Sequence, residues 1–190
     1  IAKAKSEIIR NIQDNGSLIL NRDDRFFNYL SKKAKLRKIK VITFGKSKKS
    51  DVYLVKTKKL GTIKKVIVNV KDEILELKIE NINIYNVLAS LAVLKLLDLD
   101  IKKIVKIFEN FLPSDGRGKF HKIRRYKKNF VLVDESYNAN PFSVKNALVN
   151  FSEIRKNKNK KYLLLGDMLE LGEKSEAYHK DLSQLINSSD

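Results

Sequence analysis

Val131 to Leu148 reads VLVDESYNANPFSVKNAL. It opens apolar, turns polar at Asp134, meets Pro141 and continues in helical rhythm. The pattern is that of a strand, a loop and a helix. Asn140 suits the cap of that helix and Pro141 its first turn, where a missing N–H costs nothing. In open parallel sheets, ligands gather beyond the carboxyl ends of strands. An acidic pair, a tyrosine and two asparagines at such an end therefore need a reason. Asp134 and Glu135 can hold a cation or orient an amine. Asn138 and Asn140 offer amide donors and acceptors, and Tyr137 a hydroxyl and a ring face. A capped junction with solvated polar groups explains each residue singly. The unbroken string DESYNANP is better explained by a site.

Downstream, KYLLLGDMLELG suggests a strand over 161–165 that ends at Gly166 and Asp167, with Gly172 closing the turn into a helix over 173–187. With a strand over about 129–134 and a helix over 142–155, the order alternates. Alternation of this kind argues for a parallel sheet with crossover helices. His179 falls on the last helix and reads as a packing or solvated residue, not a catalytic one.

Upstream, LPSDGRG at 112–118 places Pro, Ser, Asp and two glycines together and marks a domain boundary. Residues 1–12 read as the end of a helix and 17–20 as a short strand. Asp23 or Asp24 could cap a helix running to about Leu36. KIKVITFG, closed by Gly45, is a strand. DVYLVKTKKL and TIKKVIVNVKDEILELKI form a run of strands with a turn at Lys71-Asp72. Asn83 to Leu97 is a helix with apolar positions at Val87, Leu88, Leu91, Leu94 and Leu97, and DIKKIVKIFENF is another. The fold class is α/β: residues 1–112 as the later part of one domain and 113–190 as the opening of a second. The helical rhythm at both ends suggests a piece of a longer protein.

Hydrophobic residues make up 43% of the 190, enough for a real core. The absence of cysteine excludes a disulfide framework and a thiolate metal site. No apolar run reaches membrane-spanning length, and no signal peptide is visible. The net charge is +18, from 40 basic and 22 acidic side chains. Such a charge points to phosphate-bearing partners, and a basic α/β nucleic-acid-binding module is the alternative reading. The excess of Lys over Arg, with abundant Ile and Asn, instead matches an AT-rich coding sequence. Aromatics are not interleaved with the lysine clusters as a stacking platform would require.

DESYNANP followed about thirty residues later by LLLGDMLELG resembles the Mur ligase family. IAKAKSEI, ILNRDD, NINIYNVLAS and GRG resemble further family segments in the right order. The resemblance implies the latter part of a central ATPase domain, followed by the start of a Rossmann-like C-terminal domain. It implies a cytoplasmic ligase of peptidoglycan precursor synthesis, with the cell-wall, cell-shape and cell-division roles that follow. The reaction would activate the carboxylate of a UDP-muramoyl-tripeptide with ATP and Mg²⁺ as an acyl phosphate, which D-alanyl-D-alanine attacks. The full-length protein is expected to be a monomer without nucleic acid. SYNANP argues against the relatives that add the third residue, which show an aspartate–histidine–proline pattern there.

The same resemblance assigns residues. Lys5 matches a lysine that is often carbamylated, a catalytic and Mg²⁺-binding position. Asn83 and Asn86 match an adenine-reading pair; the family's preceding histidine and glycine are Ile82 and Glu80 here. Arg117 matches a hinge arginine that reaches the nucleotide on domain closure, with Gly116 and Gly118 letting the backbone flex. Glu135 and Asn138 would face the nucleotide, while Tyr137, Asn140 and Asp167 would line the dipeptide side. The nucleotide would lie in a cleft between the helix-borne amides and the loop beyond Val133. None of the seven glycines fits G-x-x-x-x-G-K-[ST], since Gly45-Lys46 lacks a glycine five positions earlier. A phosphate loop is therefore expected upstream, and these 190 residues alone should have no ligase activity.

Overall fold

In the computed structural model, which describes residues 2–60, 63–80, 82–154 and 160–187, the chain divides into two units, Ile1–Leu112 and Pro113–Asp190. Ile1, Thr62, Asn81, Arg155 and the terminal Ser188–Asp190, which the sequence reading included in its segments, lie outside the described residues.

The first unit opens with α1 (Ala2–Lys5), which tightens into a 3-10 turn over Ser6–Asn11. β1 (Ser17–Asn21), α2 (Phe27–Leu36) and β2 (Lys40–Gly45) form a β-α-β unit in which the two strands pair in parallel, Ser17 opposite Lys40 through Asn21 opposite Phe44. Neither Asp23 nor Asp24 caps α2. Its N-cap is Phe26, without a side-chain bond. Asp24 Oδ1 instead accepts from the Phe26 N–H at 2.7 Å, a tight local turn before the helix. Arg37 at the helix end donates to the Ile9 carbonyl at 2.7 Å, and Lys33 donates to Ser6 Oγ at 2.8 Å. These bonds fasten α2 to the 3-10 turn over a small cluster of Ile9, Ala34 and Ile39.

β3 (Val52–Leu60), β4 (Ile63–Val70) and β5 (Glu73–Glu80) extend the sheet in the order β1-β2-β3-β4-β5, the last two pairings antiparallel. β3 meets β2 in parallel only at Phe44–Val52 and Gly45–Tyr53. Thr43 and Asp51 complete that short junction. The Thr43 N–H and hydroxyl both donate to Asp51 Oδ2, at 2.8 and 2.6 Å, and the Asp51 N–H donates back to Thr43 Oγ1 at 2.9 Å. Between β4 and β5, Lys71 and Asp72 both have positive φ, 47° and 70°, across the Val70–Glu73 pair, as a two-residue hairpin of right-handed twist demands.

Alternation decides which face of β5 is buried: Leu75, Leu77 and Ile79 are inside, Glu76, Lys78 and Glu80 outside. α3 (Ile84–Leu96) lays Val87, Leu88, Leu91 and Ala92 against this layer, and α4 (Ile101–Glu109) seals the β5 side with Ile101. Full burial of each such Leu or Ile side chain contributes roughly 1.5–3 kcal/mol over exposure. Leu97 is the C-cap of α3 and stands 61% exposed, so the apolar stripe ends one turn earlier than its sequence suggests.

The second unit starts with a hairpin that the sequence reading did not contain. β6 (Lys119–Arg125) pairs antiparallel with β7 (Lys128–Asp134) across Tyr126 and Lys127, at φ 52° and 59°. α5 (Pro141–Glu153) follows β7, and a 3-10 turn over Gly172–Lys174 leads into α6 (Ser175–Asn187). Leu148, Met168 and Leu182 form their common core. The strand expected over 161–165 is not formed: residues 160–169 carry no ladder, and Leu164 is 95% exposed. A strand exists only by pairing, and among the described residues β7 pairs with β6 alone.

Candidate functional site

In the first unit, the end of β1, the loop after β2 and the start of α3 converge on one carboxylate. Asp23 Oδ2 accepts from the Lys46 N–H at 2.6 Å and Oδ1 from the Ser47 N–H at 3.3 Å. The Tyr85 hydroxyl donates to Oδ2 at 3.2 Å. Gly45 is required by this approach, because a Cβ there would stand 2.7 Å from Asp23 Oδ2. The Lys46 ammonium lies 5.4 Å from the centre of the Tyr85 ring. Burial, with the adjacent Asp23 charge, raises the Tyr85 pKa and keeps the phenol in its donating form.

Asn83 and Asn86 sit at this junction on the first turn of α3. Asn83 is the N-cap; its Oδ1 accepts from the Tyr85 N–H at 2.9 Å. Ile82 and Glu80, in place of histidine and glycine, do not disturb the cap: Asn83 keeps the extended backbone a cap needs, φ −68° and ψ 125°. With that oxygen engaged, Asn83 meets a ligand chiefly as an amide donor. Asn86 is exposed, and its side chain is available in both senses.

Lys5 ends α1 and is exposed. It lines a depression of about 450 Å³ whose other walls are Ala4, Ile8, Ile9, Leu18, Leu20 and Leu30. No oxygen donor stands among those side chains, and among the described residues no group of three or more His, Asp or Glu could hold a metal ion. These residues do not make a Mg²⁺ site. A larger depression of about 530 Å³ contains none of the sequence-predicted residues; Arg22, Lys32, Lys35 and Lys49 line it with Thr43 and Asp51.

In the second unit, GRG and DESY are laced together. The Gly116 N–H donates to Asp134 Oδ2 at 3.1 Å, the Gly118 N–H to the Asp134 carbonyl at 2.7 Å, and the Tyr137 N–H to the Gly116 carbonyl at 3.1 Å. The other Asp134 oxygen accepts from the Ser136 N–H at 3.0 Å. Bonds from Ser136 and the Gly116 amide hold the Asp134 pKa below the usual carboxylate range. Both glycines are buried, with φ 74° and 83°. A Cβ on Gly116 would stand 2.8 Å from the Tyr137 backbone nitrogen. Gly116 is thus needed here for close approach to the Tyr137 backbone, and the positive φ of both positions favours glycine.

Arg117, exposed between them, stacks its guanidinium over the Tyr137 ring, 4.1 Å from the centroid. The carboxyl of Glu135 turns back towards Gly118, 3.1 Å from where a Cβ would stand. Partial burial, with the neighbouring Asp134 charge, raises its pKa. Asn138 is exposed in the same loop. Asn140 caps α5 reciprocally: its Oδ1 accepts from the Phe142 and Ser143 N–H groups at 3.1 and 3.0 Å, and its own N–H donates to Ser143 Oγ at 3.1 Å.

Asp167 is exposed on the turn before Met168, and that turn is tied to α6 by His179. The Met168 N–H donates to His179 Nε2 at 3.0 Å, while Nδ1 faces the Ser175 carbonyl at 2.8 Å. A carbonyl can only accept, so in this arrangement Nδ1 donates to it and Nε2 accepts from the Met168 amide. His179 Nε2 is 4.0 Å from Asp167 Oδ1. Of the polar residues expected from sequence, Arg117, Glu135, Tyr137 and Asn138 come together in one loop cluster, and Asn83 and Asn86 in another. Asp134, Asp23 and Tyr85 emerge from the geometry as the groups that hold these clusters, and His179 as the one that holds the segment at Met168. The sequence marked Asp134 as an acid at a strand end and Asp23 as a candidate helix cap; it gave no such role to Tyr85 or His179.

Residues 1–94 match the family model described as the Mur ligase middle domain. A "UDP-N-acetylmuramoyl-tripeptide--D-alanyl-D-alanine ligase" of Rickettsia prowazekii is 29% identical over 98% of this chain and 41% of its own length. A protein of the same name from Buchnera aphidicola is 30% identical over 100% of this chain and 41% of its own length. The chain thus spans about two-fifths of these relatives. The crystal structure of MurF ligase from Thermotoga maritima in complex with ADP superposes with a TM-score of 0.77 at 25% identity, over 97% of this chain and 41% of that one.

Proposed function

Because the chain belongs to the Mur ligase family, we propose that it forms part of a cytoplasmic, monomeric, ATP-dependent ligase that joins D-alanyl-D-alanine to UDP-N-acetylmuramoyl-tripeptide in peptidoglycan precursor synthesis. The observation that carries the reading is its extent: both units, not the first alone, run along relatives of that printed name. In this reading, residues 1–112 are the C-terminal part of the central ATP-binding domain and 113–190 the N-terminal part of the next domain.

Amide formation from a carboxylate needs the hydroxide-like leaving group replaced by a better one. ATP supplies that phosphoryl group when bound. The protein's work is then positioning and charge neutralisation, not covalent catalysis. Asn83 donates to an acceptor on the base, and Asn86 completes the contact. The Arg117 fork neutralises phosphate or ribose oxygens, and stacking on Tyr137 limits its rotamers before it is used. Glu135 and Asn138 face the nucleotide, while Tyr137, Asn140 and Asp167 line the dipeptide side. Lys5 lies at the reacting end in this reading, and the residues around it do not supply a metal site.

The test uses the full-length protein that contains these residues. Incubated with ATP, UDP-muramoyl-tripeptide and D-alanyl-D-alanine, it should yield the pentapeptide product by mass spectrometry. Arg117→Ala and Asn138→Ala should each lower kcat/KM by roughly a hundredfold or more, the scale of a lost transition-state donor. The 190 residues alone should give no turnover. A full-length protein that leaves the dipeptide unjoined overturns the reading.

A further inference from the structure

A helix cap is a local device. The bond from the Tyr85 N–H to Asn83 Oδ1 spans two residues and fixes the start of α3 without setting how that turn is rotated against the sheet. The bond from the Tyr85 hydroxyl to Asp23 spans 62 residues and does set it. Asp23 is itself held by the Lys46 and Ser47 amides, and Gly45 leaves the space that it occupies. The phenol therefore leans on a carboxylate already fixed to the β2–β3 loop. Tyr85 is half-buried, whereas Asn83 and Asn86 on either side of it are exposed. Tyr85 points inward as the strut, and the two amides point outward as the reading edge.

We propose that Tyr85, braced by Asp23, is the positioning residue that aims the Asn83 and Asn86 amides at the nucleotide base, with Lys46 closing over the Tyr85 ring. The inference rests on the reading above that this asparagine pair meets the nucleotide. A strut of this kind acts on binding of one substrate. Loosening it lets the first turn of α3 rotate, so the two amides no longer present a fixed edge, while the groups at the reacting carboxylate keep their places. Tyr85→Phe removes only the hydroxyl and keeps the ring under Lys46. Asp23→Asn keeps one acceptor oxygen but cannot serve both loop amides and the phenol.

The experiment measures steady-state kinetics of the full-length ligase with each substrate varied, after circular dichroism shows each variant folded. Tyr85→Phe should raise KM for ATP by roughly threefold to tenfold, the scale of one ordinary net hydrogen bond. KM for the UDP-linked substrate and for the dipeptide should stay within about twofold, and the change should fall on KM for ATP rather than on kcat. If Tyr85→Phe does not fold, Asp23→Asn carries the same test. Asn83→Ala separates the two levels of argument. An ATP KM that rises in Asn83→Ala but not in Tyr85→Phe or Asp23→Asn overturns the strut alone. An ATP KM unchanged in Asn83→Ala sinks the nucleotide reading itself. A fall in kcat with all three KM values altered alike shows a general structural role and also overturns the strut.

Discussion

Removing the Asn140 side chain should loosen α5 without unfolding the unit around it. Asn140→Ala takes away the oxygen that accepts from two first-turn N–H groups, at 3.1 and 3.0 Å. Loss of an asparagine cap costs about 1 kcal/mol, within a range of roughly 0.5–2. Ser143→Ala removes the reciprocal acceptor for the Asn140 N–H at 3.1 Å, a net loss of about 0.5–1.5 kcal/mol. The two side chains serve one turn, so the double variant should cost less than the sum, with a coupling of about 0.5 kcal/mol or more. A chain of two units has no single unfolding midpoint that reports α5 alone. Amide hydrogen exchange does report it, because local opening is read residue by residue. The Phe142 and Ser143 amides should lose protection first. Unchanged exchange at those amides in Asn140→Ala, or strict additivity in the double variant, would refute the reciprocal cap. Asn140→Asp then separates the cap from the ligand. It keeps an acceptor oxygen and places a negative charge at a helix N-terminus, worth about 0.3–1 kcal/mol. α5 should stay protected, while KM for D-alanyl-D-alanine rises in the full-length enzyme because the amide donor is gone.

Leu91→Ala in the core of the first unit should destabilise that unit by about 2–5 kcal/mol, since the side chain is fully buried between α3 and the sheet; denaturant unfolding with a probe in residues 1–112 checks it. Replacing Lys71-Asp72 by Asn-Gly should stabilise the β4–β5 hairpin by about 0.5–1 kcal/mol, because both positions have positive φ; a fall in stability would show that Lys71 or Asp72 makes a contact the turn needs. Glu135→Gln should gain stability over the parent at neutral pH and lose that advantage on acidification. The folded state raises the Glu135 pKa, so its contribution is fully present below the unfolded carboxylate range and is lost as pH rises through the folded value. Urea melts of both proteins at acidic and neutral pH check it. Asp134 has the opposite sign, its pKa being lowered, so its own contribution falls on acidification in both proteins.

What the sequence made legible is what a few neighbouring residues decide. Leu75, Leu77 and Ile79 alternate with charged residues, so β5 and its buried face follow from period two alone. Asn140 before Pro141 announces a capped helix. The β6–β7 hairpin was missed because its turn, Tyr126-Lys127, contains no glycine, asparagine or aspartate, yet adopts positive φ at both positions. The pairing of the flanking strands, from Lys119–Asp134 to Arg125–Lys128, imposes that geometry against local preference. Residues 161–165 fail in the other direction. Their apolar run satisfies every local rule for a strand, but pairing is a long-range fact, and no ladder forms among the described residues. Asp23 reads locally as a helix cap and serves instead as an acceptor for a loop more than twenty residues away and a tyrosine beyond it.

The polar string that first suggested a site divides, on its hydrogen bonds, into groups that build and groups that remain free to act. Both Asp134 oxygens are engaged by backbone amides, and its lowered pKa keeps it an anion; it is the peg on which Gly116 and Ser136 hang. The Asn140 oxygen is committed to α5, leaving its NH₂ as the group that can meet a ligand. Among the described residues the Glu135 carboxyl receives no hydrogen bond, and partial burial with the Asp134 charge raises its pKa, which makes it a better proton acceptor than Asp134. Among the described residues Arg117 keeps all its guanidinium donors while its plane is held by Tyr137. A strand end can therefore be recognised from sequence as a site, but the assignment of parts within it follows from counting which donors and acceptors folding has already used.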